Sequence, residues 1–260
     1  MIFGKLNLIY FSPTGTTRKV LNAIADGMNF STVKQINLIK KDNIKKQNFT
    51  DNEIVIIGTP VHSSRIPFTV INRLKNFKAS KTKAVLVVVY GNRHYGDALL
   101  ELKELSTELG FFPIAAAAFI GVHSFSSSKY PIAEGRPNLE DLDIAKDFGR
   151  QIITKFEEQE EIQVPCNFPY KERSKKLNVK PEIDMDLCDF CGMCQKVCPV
   201  NAISIVKDKI NIDENLCIYC NACVKVCPQN ARIINDERII GFSKNLFEKC
   251  QEPQIPEIFL

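Results

Sequence analysis

No run of this 260-residue chain is apolar for long enough to cross a bilayer. The longest, Phe111 to Gly121, carries a proline and falls well short of the roughly 20 residues a spanning helix needs. The chain opens Met-Ile-Phe-Gly-Lys without a secretory or transit segment, so a cytoplasmic protein of a reducing cell is expected. Tryptophan is absent and histidine occurs only three times. There is no G-x-G-x-x-G after a strand, which removes the dinucleotide fingerprint, and no Walker A lysine. No nucleophile and base stand out as a pair. The one strongly basic stretch, Lys171 to Lys180, has no groove-reading motif or aromatic platform beside it. It reads as a solvated linker, and no nucleic-acid partner is expected.

Cysteine, by contrast, is abundant and ordered. Eight of the ten cysteines form C-x2-C-x2-C-x3-C-P written twice: Cys188, Cys191, Cys194, Cys198 and then Cys217, Cys220, Cys223, Cys227. The second copy follows at an offset of 29 residues. Four thiolates hold an iron–sulfur cubane, and this is the bacterial spacing for them, in which the fourth cysteine reaches the other cluster. One cluster is therefore assigned to Cys188, Cys191, Cys194 and Cys227, the other to Cys217, Cys220, Cys223 and Cys198. Zinc sites use two separated ligand pairs, and a disulfide framework needs an oxidising compartment; neither fits. Cys166 and Cys250 lie outside the repeat and read as non-ligands. The repeat extends past cysteine, since Asp184, Leu187 and Asn201-Ala202 return as Asp213, Leu216 and Asn230-Ala231. Residues 181–236 resemble a two-cluster bacterial ferredoxin, a small α+β fold with pseudo-two-fold symmetry.

Fifty-odd residues cannot account for the chain, so a second unit precedes them. Lys5 to Phe11 reads as a buried strand, followed by Ser12-Pro-Thr-Gly-Thr-Thr17 and a helix with Thr17, Val20, Leu21, Ile24, Ala25 and Met28 on one face. A strand, a hydroxyl-rich turn and a helix N-terminus make a phosphate cradle. Ser12, Thr14, Thr16 and Thr17 supply hydroxyls there and Gly15 lets the backbone approach; a plain helix cap is the competing reading. Strands are also expected at 33–38, 53–58, 83–90 and 111–121, alternating with helices at 67–77, about 98–109 and 139–156. Residues 39–52, rich in Lys and Asn, leave the second helix short or absent. The pattern argues a doubly wound α/β fold with a five-stranded parallel sheet in the order 2-1-3-4-5, whose crevice lies beyond strands one and three.

The turn Ser12 to Thr17 is similar to the phosphate loop of flavodoxins, which bind FMN. That resemblance implies that Pro60, Val61, His62 and Ser63 flank one side of the flavin ring. Tyr90, Gly91, Asn92, Arg93, Tyr95 and Asp97 would line the other, with Tyr95 the best candidate to stack on it. On the inner side of the ring flavodoxins often use a tryptophan and this chain has none, so that face is aliphatic or carried by His62. The loop 124–137 follows the last strand and reads as a plain surface loop, a lid or docking surface over the crevice being the alternative.

Together these readings give a flavodoxin-like unit at 1–160, a linker at 161–180, the ferredoxin-like unit at 181–236 and a tail at 237–260 that packs back on a unit. The whole resembles flavodoxin–ferredoxin fusion proteins of anaerobes, which implies FMN, two [4Fe-4S] clusters and an electron-transfer role with ferredoxin-type partners, a homodimer being left open. A flavin-dependent reductase, with His62, Arg93 and His123 as proton donors or anion clamps, is the alternative. A redox sensor ranks below both.

Overall fold

A computed structural model describes residues 5–154, 160–165, 169–173, 175, 177–207 and 209–260. Five strands run parallel: β1 (Lys5–Tyr10), β2 (Val33–Asn37), β4 (Glu53–Pro60), β6 (Thr82–Tyr90) and β7 (Phe111–Ile120), with the short β3 (Gln47–Phe49) and β5 (Phe77–Ala79) paired to each other outside the sheet. The helices between them are α1 (Thr16–Met28), α2 (Phe68–Leu74), α3 (Ala98–Glu108) and α4 (Leu139–Thr154). Counted over the parallel strands alone the order is 2-1-3-4-5, as expected. The last two residues of the helix expected at 139–156, and Cys166, lie outside the described residues.

Burial on both faces explains the near-continuous apolar strands. Side chains alternate: Ile9, Val55, Ile57, Leu86 and Val88 meet α2 and α3, while Leu8, Ile56, Val85 and Val87 meet α1 and α4. Between β2 and β4 the chain's one helical element is a single 3-10 turn, Lys41–Asn43, followed by β3, so the second helix is absent.

The ferredoxin-like unit comprises β8 (Glu182–Ile183), α5 (Met193–Val197), β9 (Ile203–Val206), β10 (Lys209–Ile212), α6 (Ala222–Val226) and β11 (Arg232–Ile233). β8 pairs with β11 and β9 with β10, both antiparallel. Its internal symmetry is visible in single bonds: Asp184 N donates to Ala231 O and Asp213 N to Ala202 O, each at 2.8 Å. The repeated aspartates thus stitch one half to the other.

The tail does more than pack back. After α7 (Glu237–Lys249) the chain returns to the first unit as β12 (Glu257–Phe259) and pairs antiparallel with β7, making a six-stranded sheet. An antiparallel edge strand covers the open side of β7, which would otherwise present unpaired backbone groups. Three residues without strong alternation could not announce this from sequence. The ferredoxin-like unit is consequently tethered to the sheet at both of its ends.

Candidate cofactor sites

Gly15, at φ 84°, turns the chain from β1 into α1. The α1 N-terminus has no side-chain cap and no acidic residue in its first turn, so its positive end is uncompensated. A Cβ on Gly15 would meet nothing within 4 Å, leaving the approach to the backbone open. Thr14 is exposed, and its Oγ1 lies 3.2 Å from Thr16 Oγ1. Ser12 and Thr17 are buried. Ser12 Oγ accepts from Arg18 N at 3.1 Å, so this hydroxyl shapes the turn rather than facing outward. A helix end with no side-chain cap from Gly15, beside the Thr14 and Thr16 hydroxyls, fits a phosphate. Thr14→Val should weaken FMN binding by a charge-assisted hydrogen bond, about 1.5–3 kcal/mol, which is roughly 10- to 150-fold in Kd. Flavin titration of the apoprotein measures it, and an unchanged Kd would make the turn a mere cap.

The loops at the strand ends divide into residues that face the crevice and residues committed elsewhere. Val61 packs on the core and Ser63 stands exposed, with Ser63 and Ser64 both at positive φ in a turn closed by the His62–Arg65 bridge. Arg65 is taken up by Glu101 (2.8 Å) and by Lys171 O. Of the other loop, Asn92 donates to Cys250 O and Glu252 O and accepts from Gln254 N. Asp97 accepts from Lys171 N. Tyr95 is 3% exposed, packs edge-on against Tyr90 and donates to Glu257 at 2.8 Å. Its expected place on a flavin ring is therefore corrected: Tyr95 anchors β12, because its hydroxyl finds a buried acceptor in the returning tail. Asn92 and Asp97 likewise hold the tail and the linker. Beside Glu257, burial pushes the Tyr90 hydroxyl up to about 12.

Gly91 sits where a Cβ would come 2.2 Å from His123 Cδ2, so the loop after β7 closes on it without a side chain between. His123 Nδ1 accepts from Phe125 N, which makes Nε2 the site of the proton in the neutral ring. His62 and His123 are each pushed down to about 4, chiefly by burial, with His62, Arg93 and Lys225 adding to the effect on His123. Unfolded histidine titrates near 6.5, so the unfolded chain binds more protons between about pH 6.5 and 4. Their contribution to stability is complete above that window and is lost as pH falls through it. The urea midpoint should fall between pH 6.5 and 4, and His62→Asn with His123→Asn should flatten that limb; a midpoint rising on acidification would contradict the burial of these rings.

The eight repeat cysteines surround two cavities. Cys198, Cys217, Cys220 and Cys223 line one. Cys188, Cys191, Cys194 and Cys227 line the other. All the described cysteines are free thiols. Among the described residues no three His, Cys, Asp or Glu side chains converge on a single metal ion; the thiols stand around a volume instead. Burial pushes the Cys220 and Cys223 thiols up to about 12. In the second cavity Arg232 is buried and its Nη2 donates to Cys194 Sγ at 3.1 Å, while Nη1 has no partner among the described residues. A buried guanidinium with an orphan N–H fits an anionic group held by thiolates.

Several contacts that sequence reasoning missed join this unit to the sheet. Arg73, 6% exposed, donates to Leu38 O and Ile39 O on its own side and to Pro199 O across the junction. Lys40 Nζ donates to Cys198 O at 2.8 Å. Asn221 Nδ2 donates to Ser124 O at 2.7 Å, and Tyr219 packs edge-on against Phe125, which in turn touches His123. Ile218 packs against the core of the first unit. A signal existed in the repeat itself: Ile218 stands where the first copy has Asp189, so only the second loop is built to face apolar surface.

Residues 7–108 match the model of a flavodoxin domain, and residues 187–231 match that of a 4Fe-4S dicluster domain. None of the curated proteins compared with the chain matches it. Among solved structures, the chain is similar to a flavodoxin from the domain Archaea, at 19% identity and TM-score 0.39, over 58% of this chain and 97% of that one. Oxidised Flavodoxin 1 from Bacillus cereus is similar at 16% identity and TM-score 0.42, over 58% and 98%. The Flv1 flavodiiron core from Synechocystis sp. PCC6803 is similar at 21% identity and TM-score 0.41, over 59% of this chain and 36% of that one.

Proposed function

Because the chain carries a flavodoxin domain and a 4Fe-4S dicluster domain, we propose that it passes electrons between two [4Fe-4S] clusters and an FMN, as an adapter between one- and two-electron redox partners. When bound, the flavin exchanges one or two electrons and each cubane one. The observation that carries this reading is the junction. The loop Cys217 to Cys223 lies on the first unit, with Ile218 against its core and Tyr219 and Asn221 on the loop after β7. The cluster of Cys198, Cys217, Cys220 and Cys223 is then the one next to the flavin, whose phosphate Thr14, Gly15, Thr16 and the α1 N-terminus hold. Pro60, Val61, His62 and Gly91 border the ring.

The other cluster, of Cys188, Cys191, Cys194 and Cys227, faces solvent. Cys191 is exposed, with Met185, Leu187 and Met193 exposed beside it. From Pro181 to Gln195 there are four acids, Glu182, Asp184, Asp186 and Asp189, and no lysine or arginine. An exposed ligand, an apolar patch and an acidic rim suit a one-electron protein partner with a basic docking face. His62 and His123, near enough for one to act electrostatically on the other, favour a second reading, in which a small molecule is reduced at the flavin and held by a hydrogen bond donated from His123 Nε2.

One experiment separates the two. The anaerobic holoprotein is reduced by a low-potential one-electron donor and offered small-molecule acceptors. The adapter reading expects oxidation stoichiometric with the bound cofactors; repeated turnover on a small molecule would replace it with the reductase. Isolated protein with iron for two clusters but no FMN, even after soaking, would refute both.

A further inference from the structure

Arg232 has two properties that the wiring just proposed does not use, and the role they point to rests on that wiring. Arg232 is 4% exposed, donates to Cys194 Sγ, and is in none of the ion pairs formed among the described residues. Its second terminal nitrogen is buried and unpartnered among the described residues. A guanidinium cannot shed its proton, so its charge is compensated only by an anion in the same cavity. The two halves of the repeat then provide an internal control. Asn230-Ala231-Arg232 stands where the first half has Asn201-Ala202-Ile203. Arg232 lines the solvent-facing cavity and Ile203 the junction cavity. One position of the fold thus bears a cation hydrogen-bonded to a thiol of one set and a plain aliphatic against the other; the charge of Arg232 is felt at Cys223 of the junction set as well, but only Cys194 takes its hydrogen bond.

We infer that Arg232 raises the potential of the solvent-facing cluster relative to the junction cluster, and so fixes where an electron shared between them resides. Reduction adds one electron and one negative charge to a cluster, with no bond made and no proton taken up. A cation hydrogen-bonded to a ligand sulfur stabilises the reduced form more than the oxidised form, and net charge and hydrogen bonds to sulfur are among the determinants of such potentials. Lys40 and Arg73 approach the junction cluster too, but they bond to the carbonyls of Cys198 and Pro199, not to sulfur. The electron accepted from a partner is held at the solvent-facing cluster until the flavin can take it.

The test is a redox titration of the anaerobic holoprotein with dithionite, followed by electron paramagnetic resonance, for the wild type, Arg232→Ile and Arg232→Lys. Cys227→Ala identifies the solvent-facing signal by its loss. In Arg232→Ile the electron distribution should shift about tenfold or more towards the junction cluster, about 59 mV for a one-electron couple. Arg232→Lys, which keeps the charge and loses the planar fork, should shift it less, and it decides the matter if the isoleucine variant fails to assemble the cluster. Equal shifts of both clusters, or none, overturn the role of Arg232 and leave the adapter standing. Wild-type protein with iron for fewer than two clusters overturns the adapter and this inference together.

Discussion

Cys227→Ala should halve the iron, from about eight atoms to about four, and the cluster lost should be the one also bound by Cys188, Cys191 and Cys194. Cys227 follows α6, whose own first turn holds Cys223 of the other set. Sequence proximity would therefore assign it to Cys217, Cys220 and Cys223. The cavity assigns it otherwise, because Cys227 lines the volume shared with Cys188, Cys191 and Cys194. The functional consequence is equally large. With the solvent-facing cluster gone, reduction of the flavin by an external one-electron protein should fall to background, while dithionite still reduces the remaining cluster. Iron analysis and the spectrum of the reduced variant settle it: loss of the junction cluster instead would mean that the fourth ligands do not cross.

Arg73→Met should loosen the junction without removing any cofactor. The guanidinium serves carbonyls of both units, Leu38 and Ile39 on one side and Pro199 on the other, and its face lies 5.6 Å from the Phe11 ring. Burial pulls its pKa down, with Asp42 opposing, yet an arginine remains charged. Methionine replaces the aliphatic stem and none of the donors. Each buried carbonyl left without a partner costs about 1–3 kcal/mol, so the thermal midpoint should drop measurably. The more telling readout is the rate at which electrons pass from the clusters to the flavin after rapid reduction. That rate should fall while flavin and iron contents stay at wild-type levels. An unchanged rate would mean that Ile218, Tyr219 and Asn221 hold the units together unaided.

Much of this molecule was legible in the residues alone, and the reason is locality. The eight cysteines declare cluster chemistry because their spacing is a property of one short loop, repeated. The five parallel strands declare themselves because burial on both faces leaves runs such as Ile54 to Ile57 and Ala84 to Val89 without a polar residue. The Ser12 to Thr17 turn is likewise a local device, a helix start with nothing acidic to neutralise it.

What required the folded chain is every feature made by residues far apart in sequence. Tyr95 read as a ring-stacking residue because nothing local shows that Glu257, 162 positions later, will take its hydroxyl. Asn92 and Asp97 are used up in the same way by the tail and the linker. The sixth strand is three residues long, and its pairing energy comes from β7, not from its own composition. Which set of cysteines lies against the first unit was decided by packing, since Ile218 needs an apolar surface to cover it while Asp189 needs water. Local sequence thus determined which cofactors this protein could carry; long-range packing decided which cysteine set lies against the first unit, because only contacts across the chain can set one group beside another.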